Sequence, residues 1–186
     1  SRSIGLQRYL KEPMEVRSGR IVNRDERVQV VGDAMRYFRR YRQHDSEVEE
    51  IRLAVEELIN NAIFHAFRRK IGGLEKYRAT SFTSLEGDEY ITVEYGHDRN
   101  YLGVSVSDNQ GSLDASTVMA KLERQISMEG IMDENGRGLH LTRNLCERMI
   151  INLKPGKLTQ VILLFARRPQ YFPRPLTINV IPDVLI

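Results

Sequence analysis

Glu57, Asn61 and His65 recur four residues apart in a stretch whose neighbours Ile51, Val55, Leu58, Ala62 and Ile63 follow the period of a buried helix face. Such a segment folds as a helix with a second layer over its apolar side, and it carries a polar stripe that simple packing does not demand. Its start is marked by Ser46 followed three residues later by Glu49, a capping box, which predicts a helix from Glu47 to about Phe67. Arg68-Arg69-Lys70 and Gly72-Gly73 close it, and Glu75 to Asp88 reads as a polar loop. Upstream, Val28, Val31, Met35 and Phe38 form one helical stripe and Val30, Ala34, Tyr37 and Tyr41 a second. These predict a helix over Asp25 to Gln43 with Asn23 as N-cap and a break at Gln43-His44-Asp45. Met14 to Val22 suits one or two short strands around Ser18-Gly19.

Downstream the period changes to two. Ile91, Val93 and Tyr95 alternate, as do Leu102, Val104 and Val106, and the turn Gly96 to Asn100 joins them as an antiparallel hairpin. The second strand runs into Asp108-Asn109-Gln110-Gly111-Ser112-Leu113-Asp114. Val118, Leu122 and Ile126 predict a further helix. Asn135-Gly136-Arg137-Gly138 then opens a helix carrying Leu141, Leu145 and Met149, and a glycine loop feeding a helix N-terminus suits phosphate. Ile150 to Leu153 and Leu158 to Phe165, joined by Lys154-Pro155-Gly156-Lys157, form a last hairpin. Two helices, two strands, two helices, two strands: the order predicts an α/β (α+β) fold, a two-layer sandwich with helices packed on one face of a mixed β-sheet.

The length of 186 residues and 41% apolar content allow one domain with a sizeable core. We divide it into an N-terminal arm (1–13), a body (14–166) and a C-terminal extension (167–186). Three prolines in Pro169 to Pro175 make the start of that extension extended, and apolar Thr177 to Ile186 reads as an edge strand, a docked tail or a partner-binding segment. No apolar run approaches the ~20 residues of a membrane span, and Ser1 to Leu10 has no secretory h-region. A single cysteine, Cys146, rules out an intrachain disulfide and makes a reducing cytoplasm the default location; at helical spacing beside Leu145 it reads as a buried small hydrophobe. The charge is 28 basic against 25 acidic groups, a net of +3, too small to imply nucleic acid. The basic excess lies before His44, where it reads first as a solvated face and then as a surface for docking protein. Tyr37, Phe38 and Tyr41 read as core, and His65 as a helix-face residue without the Cys or His cluster that metal ligation requires.

Singly, a Glu and Asn on a helix, an Asp after a strand and a Gly-x-Gly are ordinary structural features. In their order and spacing they resemble the N, G1 and G2 boxes of the ATPase superfamily of gyrases, heat-shock chaperones, histidine kinases and mismatch-repair ATPases (GHKL), with its histidine kinase-like ATPase (Bergerat) fold. More closely, Ala54-Val55-Glu56-Glu57-Leu58-Ile59-Asn60-Asn61-Ala62 with His65-Ala66-Phe67 resembles the N box of the bacterial anti-sigma factor serine kinases. The resemblance covers Met14 to Ala166. It implies that Asn61 ligates Mg²⁺ on the ATP phosphates, a role that suits a hard oxygen donor. Glu57 is then the catalytic acid–base that accepts a serine proton. Asp108 accepts the exocyclic amine of adenine, Gly136 and Gly138 let backbone approach the triphosphate, and Arg137 adds positive charge there. Thr159 assists at the adenine end, although the usual Gly-Thr-Thr reads Leu158-Thr159-Gln160.

The G1 pattern Asp-x-Gly-x-Gly reads Asp108-Asn109-Gln110-Gly111-Ser112, so neither glycine is in register, while Ser112-Leu113-Asp114 echoes the tail of the anti-sigma kinases. Either Gly111 restores the loop with a one-residue shift, or Gln110 crowds the adenine pocket. The lid between Ile126 and Gly136 is short. The resemblance implies an ATP- and Mg²⁺-dependent serine kinase that phosphorylates an anti-sigma-factor antagonist of the STAS-like kind and binds a sigma factor or equivalent regulator. A homodimer is compatible with it, and neither nucleic acid nor membrane is an expected partner. Two other readings stay open: a partner-sequestering module without turnover, and a histidine kinase-type ATPase fragment of a longer protein.

Overall fold

The computed structural model describes residues 4–42, 44–63, 67, 70–71, 74–75, 82–113, 115–116, 118–120, 145–168 and 176–182. In chain order its elements are a 3₁₀ turn (Leu6–Tyr9), β1 (Glu15–Ile21), α1 (Arg24–Phe38), α2 (Asp45–Asn61), β2 (Lys70–Ile71), β3 (Leu74–Glu75), β4 (Ile91–His97), β5 (Tyr101–Asp108), β6 (Arg148–Lys154), β7 (Leu158–Ala166) and β8 (Leu176–Val180). The six-stranded sheet has the order β1-β4-β5-β7-β6-β8. All neighbours are antiparallel except β6 and β8, which run parallel, so the sheet is mixed and the fold is α+β.

The period-two residues face the helices. Ile91, Val93, Tyr95, Leu102, Val104 and Val106 are buried in one cluster with Val31, Ala34, Met35 and Phe38 of α1 and Val48, Ile51, Val55, Leu58 and Ile59 of α2. Asn23 caps α1 as its type predicts, its side chain accepting from the Glu26 amide at 2.9 Å. Val28 departs from the predicted stripe and is 67% exposed. In that turn the interhelical contact is polar: Arg27 reaches across to Glu56 and, at 2.9 Å, to Asn60. The capping box is also corrected. The cap of α2 is His44, without a side-chain hydrogen bond, and Ser46 lies inside the helix. Ion pairing to the preceding segment, Arg39 to Asp45 and Arg42 to Glu47, accompanies this earlier start.

The other face of the sheet is covered by the N-terminal arm. Leu6 and Leu10 are buried with Ile150, Ile162 and Leu164. A Cβ on Gly103 would come within 2.9 Å of Leu6, so the missing side chain makes the seat. A polar ladder runs beneath: Gln160 Nε2 donates to the Ile4 carbonyl and to Ser105 Oγ, and Asn152 donates to Gln160 Oε1. Asn152 Oδ1 in turn accepts from Tyr9 and Asn179. Of the three readings of the C-terminal extension, the edge strand is the one observed, as β8.

Met149, placed by its spacing on a helix, belongs to β6, and Cys146 is buried just before that strand. The stretch read as closing the helix holds the short pair β2–β3, whose last residue, Glu75, begins the segment read as a polar loop. Val118 is buried, while Leu122, Ile126 and the helix carrying Leu141 lie outside the described residues. Among the described residues no helix is long and apolar enough to cross a membrane.

Candidate functional site

Asp108 ends β5 and is paired in register with Thr159, the second residue of β7. Burial leaves the carboxyl only 4% exposed and pushes its pKa above the usual aspartate value. The amides of Gln110 and Gly111 oppose that shift, both donating to Oδ1 at 2.9 Å. Oδ2 receives neither. Thr159 stands beside the carboxylate and also favours its charged form. Its Oγ1 nevertheless makes no well-aligned hydrogen bond among the described residues, although it is buried.

The loop that supplies these amides is fixed from both sides. Asn109 Oδ1 accepts from the Tyr90 amide at 3.1 Å and its Nδ2 donates to the Asp88 carbonyl at 2.6 Å. Gly111 adopts φ +61°, and a Cβ there would come within 2.4 to 2.5 Å of backbone atoms of Lys154, Lys157 and Leu158. Its carbonyl accepts from the Gly156 amide at 3.0 Å. Gly111 is the conformational glycine of this turn, as the one-residue shift requires. The space it leaves is filled by the β6–β7 turn of the protein itself. The Gln110 side chain lies along the loop, donating to Asn109 Oδ1 at 3.3 Å.

Glu57 and Asn61 occupy the last turns of α2, one helical turn apart and both half-buried. α2 lies against β5, which brings the helix with these two residues over the strand that ends in Asp108. Burial raises the Glu57 pKa, and neither Glu57 nor Asn61 has a hydrogen-bond or ion-pair partner among the described residues. Their neighbours differ: Glu56 and Asn60 are both engaged by Arg27. Directly after Asn61 the α-helical pattern widens to a π-type turn at Ala62 and Ile63, an irregularity common at functional sites.

Asp108, Gly111 and Thr159 are therefore in one place, and Glu57 and Asn61 share the overlying helix. His65, Gly136, Arg137 and Gly138 lie outside the described residues. Asn109 was not singled out from the sequence, yet Asn in a turn after a strand is a known backbone-bonding type and supplied a usable signal. The packing of Gly111 on Lys154 and Leu158 had none, since it joins segments more than forty residues apart.

The donor set can be tested against a nucleotide. A carboxylate oxygen that the two loop amides leave to other donors and a buried hydroxyl without an aligned partner suit a ring that carries an amino group, which donates to one and meets the other. Among the described residues no group of three His, Cys, Asp or Glu could hold a metal. Asn61 as one oxygen ligand, with substrate phosphates and water completing the shell, suits magnesium, which rarely takes an all-protein cage. A family model described as the histidine kinase-like ATPase domain matches residues 21–164, from the end of β1 to within two residues of the end of β7. Among curated proteins none matches the chain.

Proposed function

The chain belongs to the histidine kinase-like ATPase family, and from that premise we propose that it is an ATP- and Mg²⁺-dependent serine kinase acting on an anti-sigma-factor antagonist and binding a sigma factor or equivalent regulator. The observation that carries this reading is Glu57: a half-buried carboxylate with no partner among the described residues and a raised pKa, one turn before Asn61. A structural glutamate would be paired, as Glu56 is with Arg27.

Asp108 and Thr159 hold the adenine end, and Asn61 would hold a magnesium ion, which would neutralise phosphate charge. In the transfer a serine Oγ forms a bond to the γ-phosphorus. The bond from that phosphorus to the β,γ-bridging oxygen breaks, its electron pair leaves with ADP, and the hydroxyl proton passes to Glu57. The raised pKa puts the acidic limb of the rate profile above the ordinary glutamate range.

The test is incubation with labelled ATP, Mg²⁺ and a candidate antagonist domain. Serine phosphorylation is expected, falling by about 10²- to 10⁴-fold in Glu57→Ala, the usual worth of a general base, with ATP affinity retained. Undiminished phosphorylation in that variant removes Glu57 from the chemistry. A second reading, a partner-sequestering module without turnover, is favoured by Gln110 in the place of a G1 glycine. Absence of ATP binding by calorimetry selects it.

A further inference from the structure

The strand ends opposite Asp108 and Thr159 border an open groove of about 1190 Å³. The first residues of β5 and β6 and the last of β7 reach it, so it is separated from the candidate nucleotide site by the length of the sheet. Its wall carries Lys11, Arg99, Arg148, Arg167 and Arg168. None of their five charged groups lies within 4 Å of a carboxylate among the described residues; the Arg167 guanidinium donates instead to the Asp98 carbonyl at 3.0 Å. Five arginines of the helical layer behave differently: Arg27, Arg36, Arg39, Arg42 and Arg52 have acidic partners. Of the basic residues before His44, read from the sequence as a docking surface, Arg27, Arg36, Arg39 and Arg42 are thus ion-paired in the helical layer, which the five cations of the groove are not.

Two acids line the groove, Asp98 and Glu147. Asp98 is 2% exposed, and its oxygens are taken by the amides of Lys11, Asn100 and Tyr101 at 2.7 to 2.8 Å, so it serves the backbone and not the arginines. Five cations against two carboxylates leave a local surplus as large as the +3 of the whole chain. In addition, Arg148 Nε is buried without a hydrogen-bond partner among the described residues, an unmet donor in the wall.

We propose that this groove docks an acidic segment of a partner polypeptide. The volume exceeds what a single phosphate needs and admits a length of chain whose carboxylates meet the separated arginines in bidentate pairs. The tyrosines of the wall argue against single-stranded nucleic acid, which requires free ring faces for stacking. Tyr41 is engaged by Arg167 and by His97 with centroids 4.2 Å apart. Tyr9 and Tyr101 pack on the cluster of Leu6 and Ile150, and the Tyr9 hydroxyl donates to Asn152.

Fluorescence anisotropy with a labelled oligoglutamate peptide, in the absence of nucleotide, tests the groove independently of ATP binding. Saturable binding that weakens with salt is expected. It should weaken tenfold or more in the double variant Arg99→Glu/Arg168→Glu, both exposed positions whose replacement leaves the core untouched. The equal charge change Arg24→Glu/Arg52→Glu on the helical layer should alter it less than twofold. Equal losses in both variants, absence of binding, or tighter binding of an oligothymidylate of the same charge that is lost in the first variant each overturns the proposal.

Discussion

Asp108 is held by opposing forces. Burial favours its neutral form, and two amides with Thr159 favour the charged one, with burial prevailing. A carboxyl whose folded pKa is raised adds stability below its unfolded value and loses it as pH rises through the folded one. At neutral pH the ionised side chain therefore works against folding, a cost that the proposed adenine contact accounts for. Asp108→Asn should raise the melting temperature of the nucleotide-free protein at pH 7 while weakening ATP about 10- to 100-fold, the worth of a hydrogen bond to a charged group. In the native protein ATP affinity should decline on acidification, starting above the ordinary aspartate range; calorimetry across pH checks both, and a flat profile removes Asp108 from adenine recognition. Asp108, Glu57 and Asn61 could be singled out in the sequence by residue type and local spacing. The difference between Glu56 and Glu57 could not, since it depends on Arg27 crossing from another helix.

The turn after β5 shows what an element adds to its residues. Its form depends on Gly111, whose positive φ and contact with the β6–β7 turn leave no room for a Cβ. Gly111→Ala should cost about 1–3 kcal/mol in chemical denaturation, through strain and overpacking, and weaken ATP by loosening the amides on Asp108. Gln110→Gly should leave affinity unchanged or tighten it; a large loss makes Gln110 part of the site. Period-two alternation made β4 and β5 legible, because one buried face imposes it. The start of α2 was misplaced because Ser46 and Glu49 satisfy a local rule, while Asp45 and Glu47 are drawn to Arg39 and Arg42 of the preceding segment. Met149 kept a helical spacing by coincidence and is a strand residue in register with Leu163.

In the whole molecule the sheet is covered on both faces, by helices on one and by the arm on the other. The helical layer could be read from its stripes. The arm could not, because its apolar contact with the sheet rests on Leu6 in a single 3₁₀ turn and Leu10 just after it, which display no period. Leu6→Ala should cost about 2–5 kcal/mol, the range for deleting a fully buried leucine, measurable by urea denaturation. An effect near zero means that the arm does not rest on the sheet in solution. The parallel direction of β8 was equally hidden, since pairing direction is fixed by tertiary contact.

The ladder under the arm gives these distant parts a common anchorage. Gln160 holds the carbonyl of Ile4, and through Asn152 it is joined to Asn179, so both ends of the described chain are moored to one pair of side-chain amides. That anchorage reaches β7 at Gln160, one residue from the hydroxyl of Thr159. The protein thus carries this anchor and the hydroxyl beside Asp108 on adjacent positions of a single strand, on opposite faces of the sheet.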